Sequence, residues 1–247
     1  MRKRESFNSR WGFILACIGS AVGMGNIWMF PTRVSLYGGG AFLIPYFIFV
    51  ILIGFTGVIS EMSFGRATRS GPIDAFGIAC ESRGHRKAGE ALGWIPVLGA
   101  LAMAIGYTVV MGWILKYTIG TFTGAVLAPA DIDGFAGAFG SMASSFGNNF
   151  WQTAALVICM IILMFGVGSG IEKANKIMMP VFFVLFIILG IYVAFQPGAV
   201  DGYHYIFRVD PKALSDPVTW IFALGQAFFS LSVAGNGTLI YGSYLPD

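Results

Sequence analysis

The residues best suited to chemistry lie in two short stretches, 19–26 and 232–237, that interrupt otherwise apolar segments. The first reads Gly-Ser-Ala-Val-Gly-Met-Gly-Asn and the second reads Ser-Val-Ala-Gly-Asn-Gly. In lipid, a break in a helix is tolerated only where the freed backbone groups are buried in protein or line a polar cavity. The paired interruptions therefore predict a binding site near the middle of a bilayer. The alternative is that the glycines allow close packing between helices.

The side chains around these interruptions favour a cation that arrives with its own counter-charge. Exposed carbonyls and the oxygens of Asn26, Ser230 and Ser232 could coordinate a hard cation such as sodium. Neither interrupted segment carries a carboxylate, and a fixed charge at the bilayer centre costs at least about 2.5–3.5 kcal/mol on insertion scales. The amides of Met24 and Gly25 add roughly half a positive charge at the start of the next helical segment. These features predict a substrate carboxylate that bridges a sodium ion and a helix N-terminus.

The composition is that of a membrane protein. Of 247 residues, 56% are hydrophobic and 11% are charged, against about 25% charged in a soluble domain. The three cysteines show no metal or redox spacing and are expected to be free thiols. Both histidines fall in polar connections, and Glu61 is the only carboxylate within a predicted span. A membrane enzyme is therefore disfavoured, and no nucleic-acid partner is expected.

Six apolar segments must position these residues, and each is near or above the length of about 20 residues that crosses a bilayer. They are 11–35, 41–64, 90–122, 150–168, 177–196 and 217–244. The third is too long to stand upright, so we expect it to tilt strongly or to extend beyond the bilayer. Lys and Arg concentrate before the first segment and in the second and fourth connections. By the positive-inside rule, we expect both ends of the chain to be cytoplasmic, and we expect a multi-pass protein of the plasma membrane. We expect one transmembrane domain over 1–247, an irregular connection at 123–149, and a structural role for Glu61, with Arg66 as a candidate partner.

The chain also resembles a known family at several motifs. GSAVGMGNIWMFP (19–31), GGGAFLIPY (38–46), EMSFGR (61–66), KANKIMMP (173–180) and DPVTWIFALGQAFFSLS (216–232) resemble signatures of the neurotransmitter:sodium symporter family, in order along the chain. The resemblance implies an all-α membrane protein with a LeuT-type inverted-repeat fold, in which helices 1 and 6 are broken within the membrane. It also implies sodium-coupled amino-acid symport by alternating access. The chain would hold the first repeat and the first helix of the second, so we expect a truncated sequence or one part of a split protein.

The resemblance implies a role for each matched residue. The substrate-binding residues are Ala21, Met24, Gly25, Met103, Tyr107, Phe229, Ser230, Ser232 and Gly235. The sodium ligands are Gly19, Ala21, Val22, Asn26 and Ser230. The gating residues are Arg4, Phe7 and Phe229, and the matches to chloride-site positions are Tyr46, Gln226 and Ser230. Taken without the resemblance, Tyr107 is better explained as a core or interfacial tyrosine, and Asn26 has the alternative explanation of an interhelical hydrogen-bond donor.

Two departures from the family pattern carry information. The family usually has an outer-gate arginine where this chain has Met29, and Arg33, about one turn on, is a candidate substitute. Gly23 stands where monoamine carriers of the family have an aspartate, which favours a substrate with its own carboxylate. Two alternatives stay open: a fragment or half-transporter without activity alone, and a channel.

Overall fold

Residues 6–245 are described by a computed structural model, and they are almost entirely helical. The helices are α1 (Arg10–Ala21), α2 (Gly25–Leu36), α3 (Gly40–Thr68), α4 (Pro72–Glu81), α5 (Arg86–Thr123), α6 (Ile132–Ala143), α7 (Asn149–Met164), α8 (Val167–Ala194), α9 (Ala199–Phe207), α10 (Pro211–Ser215), α11 (Pro217–Ser230) and α12 (Gly237–Ser243). Within the described range, β structure is limited to one isolated bridge between Gly39 and Val209. The predicted all-α class is confirmed for this part of the chain.

The first predicted segment is divided into α1 and α2. The Ser9 side chain caps the start of α1 by accepting a hydrogen bond of 3.0 Å from the Gly12 amide. At Val22 the backbone turns to an extended conformation (φ −83°, ψ 103°). A π-helical turn at Gly25–Met29 then opens α2, and the axes of α1 and α2 differ by 56°. The interruption falls within the glycine-rich stretch 19–26.

The last predicted segment is divided in the same way into α11 and α12. Asp216 caps α11, accepting from the Val218 amide at 2.9 Å, and a proline follows it at the first helical position. Between the two helices, Ser232, Ala234 and Asn236 all have left-handed backbones, with φ of 53°, 63° and 67°. Three such residues in five positions cannot continue a right-handed helix, so the interruption is fixed by the backbone itself.

Within residues 6–245, three helices are long and apolar enough to cross a membrane by themselves: α3, α5 and α8. The α1–α2 pair passes the same test only if the bent pair counts as one span. Helix α7 is apolar but has 16 residues, and it ends at Met164 rather than continuing to 168. Helix α8 begins with a π-helical turn at Val167–Ile171, ahead of the predicted start at 177. The count of six spans, and the depth of the two interruptions in a bilayer, stay predictions.

The expectation of an irregular connection at 123–149 is wrong. Helix α6 occupies much of it, capped at its start by Asp131, which accepts a hydrogen bond of 2.7 Å from the Gly134 amide. Phe135, Phe139 and Met142 recur at helical spacing along it. The abundance of small residues concealed this pattern.

The chain forms two compact units. The first contains 6–97 and 167–245, and the second contains Leu98–Gly166, with the boundary inside α5. Both interrupted helix pairs belong to the first unit, together with α3 and α8. The second unit contains the later part of α5 with α6 and α7.

Helices α3 and α12 pack with their backbones in close contact. A Cβ atom at Gly65 would meet the carbonyl of Leu239, and one at Gly242 would meet the backbone of Met62. Glycine is required at both positions because the obstructing atoms are backbone. This contact fixes α12 against the second predicted span.

We expect Gly65→Ala or Gly242→Ala to lower the free energy of unfolding by about 1–3 kcal/mol, because the added methyl forces the helices apart. Gly54→Ala on the same α3 is the matched control, since its Cβ would have no atom within 4 Å. Unfolding of the purified chain in detergent, followed by circular dichroism, measures the difference. Equal stability of Gly65→Ala and Gly54→Ala would contradict the close contact.

Candidate functional site

The two interrupted helix pairs are joined by a cluster of hydrogen-bonded polar groups, which we call the central polar cluster: Ala21, Asn26, Tyr46, Gln226 and Ser230. The amide nitrogen of Asn26 donates to the carbonyl of Ala21 at 2.9 Å, across the break between α1 and α2. The hydroxyl of Ser230, at the end of α11, donates to the Asn26 amide oxygen at 2.9 Å. The sequence-predicted ligands Ala21, Asn26 and Ser230 are therefore brought together.

Tyr46 and Gln226 complete this cluster. The Tyr46 hydroxyl donates to Ser230 Oγ at 3.1 Å, and the Gln226 amide nitrogen donates to the same oxygen at 3.3 Å and to the Gly25 carbonyl at 3.1 Å. Ser230 thus uses its one donor and both acceptor positions. Gln226 is almost fully buried, and its amide oxygen has no hydrogen-bond partner among the described residues.

The chemistry of these groups suits a hard cation. The Ala21 carbonyl, the Asn26 amide oxygen and the Ser230 hydroxyl are neutral oxygens, the ligand type that hard cations prefer. In the present hydrogen-bonded arrangement, the Asn26 amide nitrogen occupies the Ala21 carbonyl. A cation would replace that contact, so Asn26 would turn its oxygen toward the ion. The cluster supplies no negative charge of its own.

A second set of contacts joins the interruptions directly. The Ser232 hydroxyl donates to the Ser20 carbonyl at 2.9 Å, which satisfies a carbonyl near the end of α1. A Cβ atom at Gly237, where α12 begins, would lie 2.9 Å from the Ser20 hydroxyl oxygen. Ser20, Ser232 and Gly237 therefore hold the two breaks against each other.

The ring of Phe229 packs against the backbone of Gly25 at the start of α2, so closely that a Cβ atom at Gly25 would overlap it. Gly25 is buried, and Met24 precedes it as the cap of the π-helical turn. The first amides of a helix have no partner within that helix. The predicted carboxylate-binding amides of Met24 and Gly25 are therefore at a helix start beside Phe229.

At the second interruption, a carboxylate from a neighbouring helix accepts hydrogen bonds. Glu61, on α3, accepts a hydrogen bond of 2.7 Å from the Ala234 amide and a short one from the Thr238 hydroxyl. The structure thus gives Glu61 partners in and just after the 231–236 break, rather than the candidate Arg66. The sequence signal was available, because Glu61 is the only carboxylate in a predicted span, but nothing along the chain indicated its partners.

The remaining predicted ligands are placed as follows. Gly19 lies on α1 and faces the Asn175 side chain of α8, while Val22 is the first residue beyond α1. Gly235 lies in the second break, and its Cβ position has only the Ser232 backbone within 4 Å. Met103 and Tyr107 lie on α5 in the second compact unit, whereas the other predicted site residues that the structure describes lie in the first.

Of the predicted gating residues, Arg4 lies outside the described residues, whereas Phe7 is buried. The Phe7 ring makes edge contacts with Phe13, Tyr241 and Tyr244, at centroid distances of 5.3, 5.7 and 6.3 Å. Arg33 is the candidate substitute for the outer-gate arginine that Met29 replaces. Its guanidinium lies 4.4 Å from the centroid of the Phe222 ring.

Sequence reasoning missed Glu172, a buried carboxylate near the beginning of α8. Its side chain is 1% exposed and accepts from the Asn8 amide at 2.6 Å, the Ser9 hydroxyl at 2.9 Å and the Lys176 ammonium at 2.6 Å. Glu172 therefore fixes the segment that precedes α1 to the beginning of α8. No sequence signal connects positions that lie 164 residues apart.

Comparison with known proteins supports one family. A model of the sodium:neurotransmitter symporter family matches residues 4–129 and 137–246. The uncharacterized sodium-dependent transporter YhdH of Bacillus subtilis (strain 168) is 34% identical over 250 residues, covering 99% of this chain and 53% of that protein. The sodium-dependent neutral amino acid transporter B(0)AT3 of Mus musculus is 30% identical over 270 residues, covering 99% of this chain and 43% of that protein.

Among solved structures, MhsT in complex with L-phenylalanine superposes with a TM-score of 0.86 at 38% identity. The match covers 99% of this chain and 55% of the MhsT chain. The chain thus spans about half the length of the relatives it matches.

We expect Glu61→Gln to lower the free energy of unfolding by about 1.5–3 kcal/mol, because both carboxylate oxygens accept hydrogen bonds and the amide replaces one acceptor by a donor. Glu81→Gln is the control, since Glu81 is an exposed partner of Arg86 and such pairs contribute roughly 0–1 kcal/mol. Denaturant titration of both variants gives the comparison. A smaller loss for Glu61→Gln than for Glu81→Gln would show that the carboxylate does not support the break.

Proposed function

Because the chain belongs to the sodium:neurotransmitter symporter family, we propose that it forms the sodium- and substrate-binding part of a secondary transporter. In this proposal, a sodium gradient drives uptake of an amino acid by alternating access, on a LeuT-type inverted-repeat fold with helices 1 and 6 broken in the membrane. One observation carries the proposal: Ala21, Asn26 and Ser230, from two interrupted helix pairs, meet within hydrogen-bonding distance.

Coupling follows from the charge of the site. Neutral oxygens can coordinate sodium but leave its charge uncompensated in a low-dielectric surrounding, where an unpaired charge is costly. An amino-acid carboxylate between the ion and the amides of Met24 and Gly25 offsets that charge. Each ligand then raises the affinity for the other, which is the thermodynamic basis of symport.

The remaining predicted residues take supporting roles. In addition to the amides of Met24 and Gly25, the Tyr107 hydroxyl binds the substrate carboxylate. The substrate amine binds oxygens of four residues: Ala21, Phe229, Ser230 and Ser232. Met103 and Gly235 shape the side-chain pocket. Gly19 and Val22 offer carbonyls to a second sodium ion.

An amino acid is favoured over a monoamine for two reasons. Gly23 supplies no carboxylate at the break, so the substrate must bring one. The transporter B(0)AT3 is named for neutral amino acids, and MhsT was solved with L-phenylalanine. The proposal extends to a plasma-membrane location with cytoplasmic termini, and it leaves chloride dependence open.

The gates are proposed from packing. Phe229 covers the helix start at Gly25 and closes the site from the outside. Phe7 in its aromatic group, with Arg4, closes it from the cytoplasm. Met29 occupies the position at which the family usually has an outer-gate arginine. In the proposal, Arg33, which contacts the Phe222 ring, supplies the positive charge of the outer gate instead.

The coverage of the relatives favours a second candidate, in which residues 1–247 form a half-transporter or fragment without activity alone. Under this alternative, proteoliposomes containing only residues 1–247 show no uptake, and uptake appears when a segment carrying the remaining helices is supplied. Robust sodium-driven uptake by residues 1–247 alone would overturn it.

We expect at least one of the twenty amino acids to bind more tightly in sodium than in potassium or choline. Calorimetric titration of the purified protein with the full panel measures this. The decarboxylated amine of the best ligand is the matched control and should show no sodium dependence, because it cannot offset the ion. If no amino acid binds more tightly with sodium, the coupling model fails.

We expect Asn26→Asp to weaken amino-acid binding by about tenfold or more, equivalent to ~1.4 kcal/mol, because a fixed negative charge competes with the substrate carboxylate for the ion. The control is Asn149→Asp, at an exposed position that begins α7. The same titration over a range of sodium concentrations compares the two variants. Unchanged affinity at every sodium concentration would place the site elsewhere.

A further inference from the structure

A cavity of about 240 Å³ is lined only by residues of the second compact unit, and none of the lining residues belongs to the central polar cluster. Its wall is formed by the end of α5, the short turn at Ala125–Leu127, helix α6 and the beginning of α7. The wall is largely apolar and includes Phe135, Ala138, Met142 and Trp151. Nothing in the proposed transport cycle uses this cavity.

The packing that forms the cavity is specific. Helix α6 is held to α5 by an edge contact between Phe139 and Trp113, with ring centroids 5.4 Å apart. Asp131 fixes the start of α6 by accepting from the Gly134 amide. The cavity is therefore bounded by packed helices and not by a free loop.

One charged group lines this cavity. Lys116 is the only Lys or Arg among residues 98–166, and it lies in the cavity wall. Within the described part of the chain, no carboxylate pairs with it. A lysine stem can follow an apolar wall while its ammonium stays available at the rim, and such an ammonium favours an anionic partner.

We propose that this cavity binds a fatty acid, with its carboxylate at Lys116 and its acyl chain against Phe135, Met142 and Trp151. The volume of about 240 Å³ holds roughly eight groups the size of a water molecule, so it accommodates one short acyl chain and not the two chains of a phospholipid. The single cation selects a carboxylate over a neutral or cationic head, and the apolar wall disfavours a polar metabolite. The site is independent of the proposed sodium and amino-acid site.

The test uses hexanoate labelled with bromine on its terminal carbon, which quenches nearby tryptophan fluorescence, including that of Trp151. The full chain is held in phosphatidylcholine nanodiscs, with empty nanodiscs correcting for partition into lipid. We expect saturable quenching, and an affinity about tenfold lower in Lys116→Met, since tenfold is the effect of losing one charge-assisted contact. Ala138→Phe, which fills much of the cavity without adding a tryptophan, should abolish saturable quenching.

Two controls separate the charge from general effects. Lys116→Arg should retain the affinity, and Lys87→Met, at an exposed lysine at the other end of α5, should leave it unchanged. The bromine-labelled amine of the same chain should bind about tenfold more weakly than the bromine-labelled hexanoate. Equal affinity of the wild type and Lys116→Met, equal binding of amine and hexanoate, or saturable quenching that survives Ala138→Phe would each overturn the proposal.

Discussion

The structure depends on one constraint: the backbone groups freed by two interrupted apolar helices need polar partners, and in our proposal the surrounding bilayer offers no water to supply them. The Asn26 side chain meets this need by donating to the Ala21 carbonyl at 2.9 Å, and Ser230 holds that side chain from the other helix pair by a hydrogen bond of 2.9 Å that spans 204 positions in the sequence. The Ser232 hydroxyl donates a hydrogen bond to the Ser20 carbonyl, and the Glu61 carboxylate accepts one from the Ala234 amide. The same polar groups that make the breaks tolerable are those that could bind an ion and a substrate.

The distribution of charge then determines what such a site can hold. The central polar cluster is neutral, and Glu61, the carboxylate that contacts the second interruption, already accepts hydrogen bonds at both oxygens. In our proposal a cation entering the cluster must therefore be balanced by the substrate, and the two ligands bind together or weakly. In the proposal, this requirement links the absence of an acid at Gly23 to the substrate class, and it favours an amino acid over an amine.

The sequence predicted those parts of the site that depend on local chemistry. Glycines and Asn26 in an apolar segment indicated where the first helix is interrupted, and Ser232 with Asn236 indicated the second. Contacts over long sequence distances were not predictable in this way: nothing along the chain joins Glu61 to Thr238 or Glu172 to Asn8. Helix α6 was missed for a different reason, because its apolar positions Phe135, Phe139 and Met142 are separated by small residues that are typical of loops.

The central claim is that sodium and substrate share one site and compensate each other's charge, and the most direct measurement is the affinity for sodium with and without a saturating amino acid. Because coupling between two ligands is reciprocal, the account predicts that the amino acid raises the affinity for sodium by the same factor as sodium raises the affinity for the amino acid. Ser230→Ala, which removes one oxygen from the cluster, should reduce this factor. Sodium affinity that is independent of the bound amino acid would contradict the account.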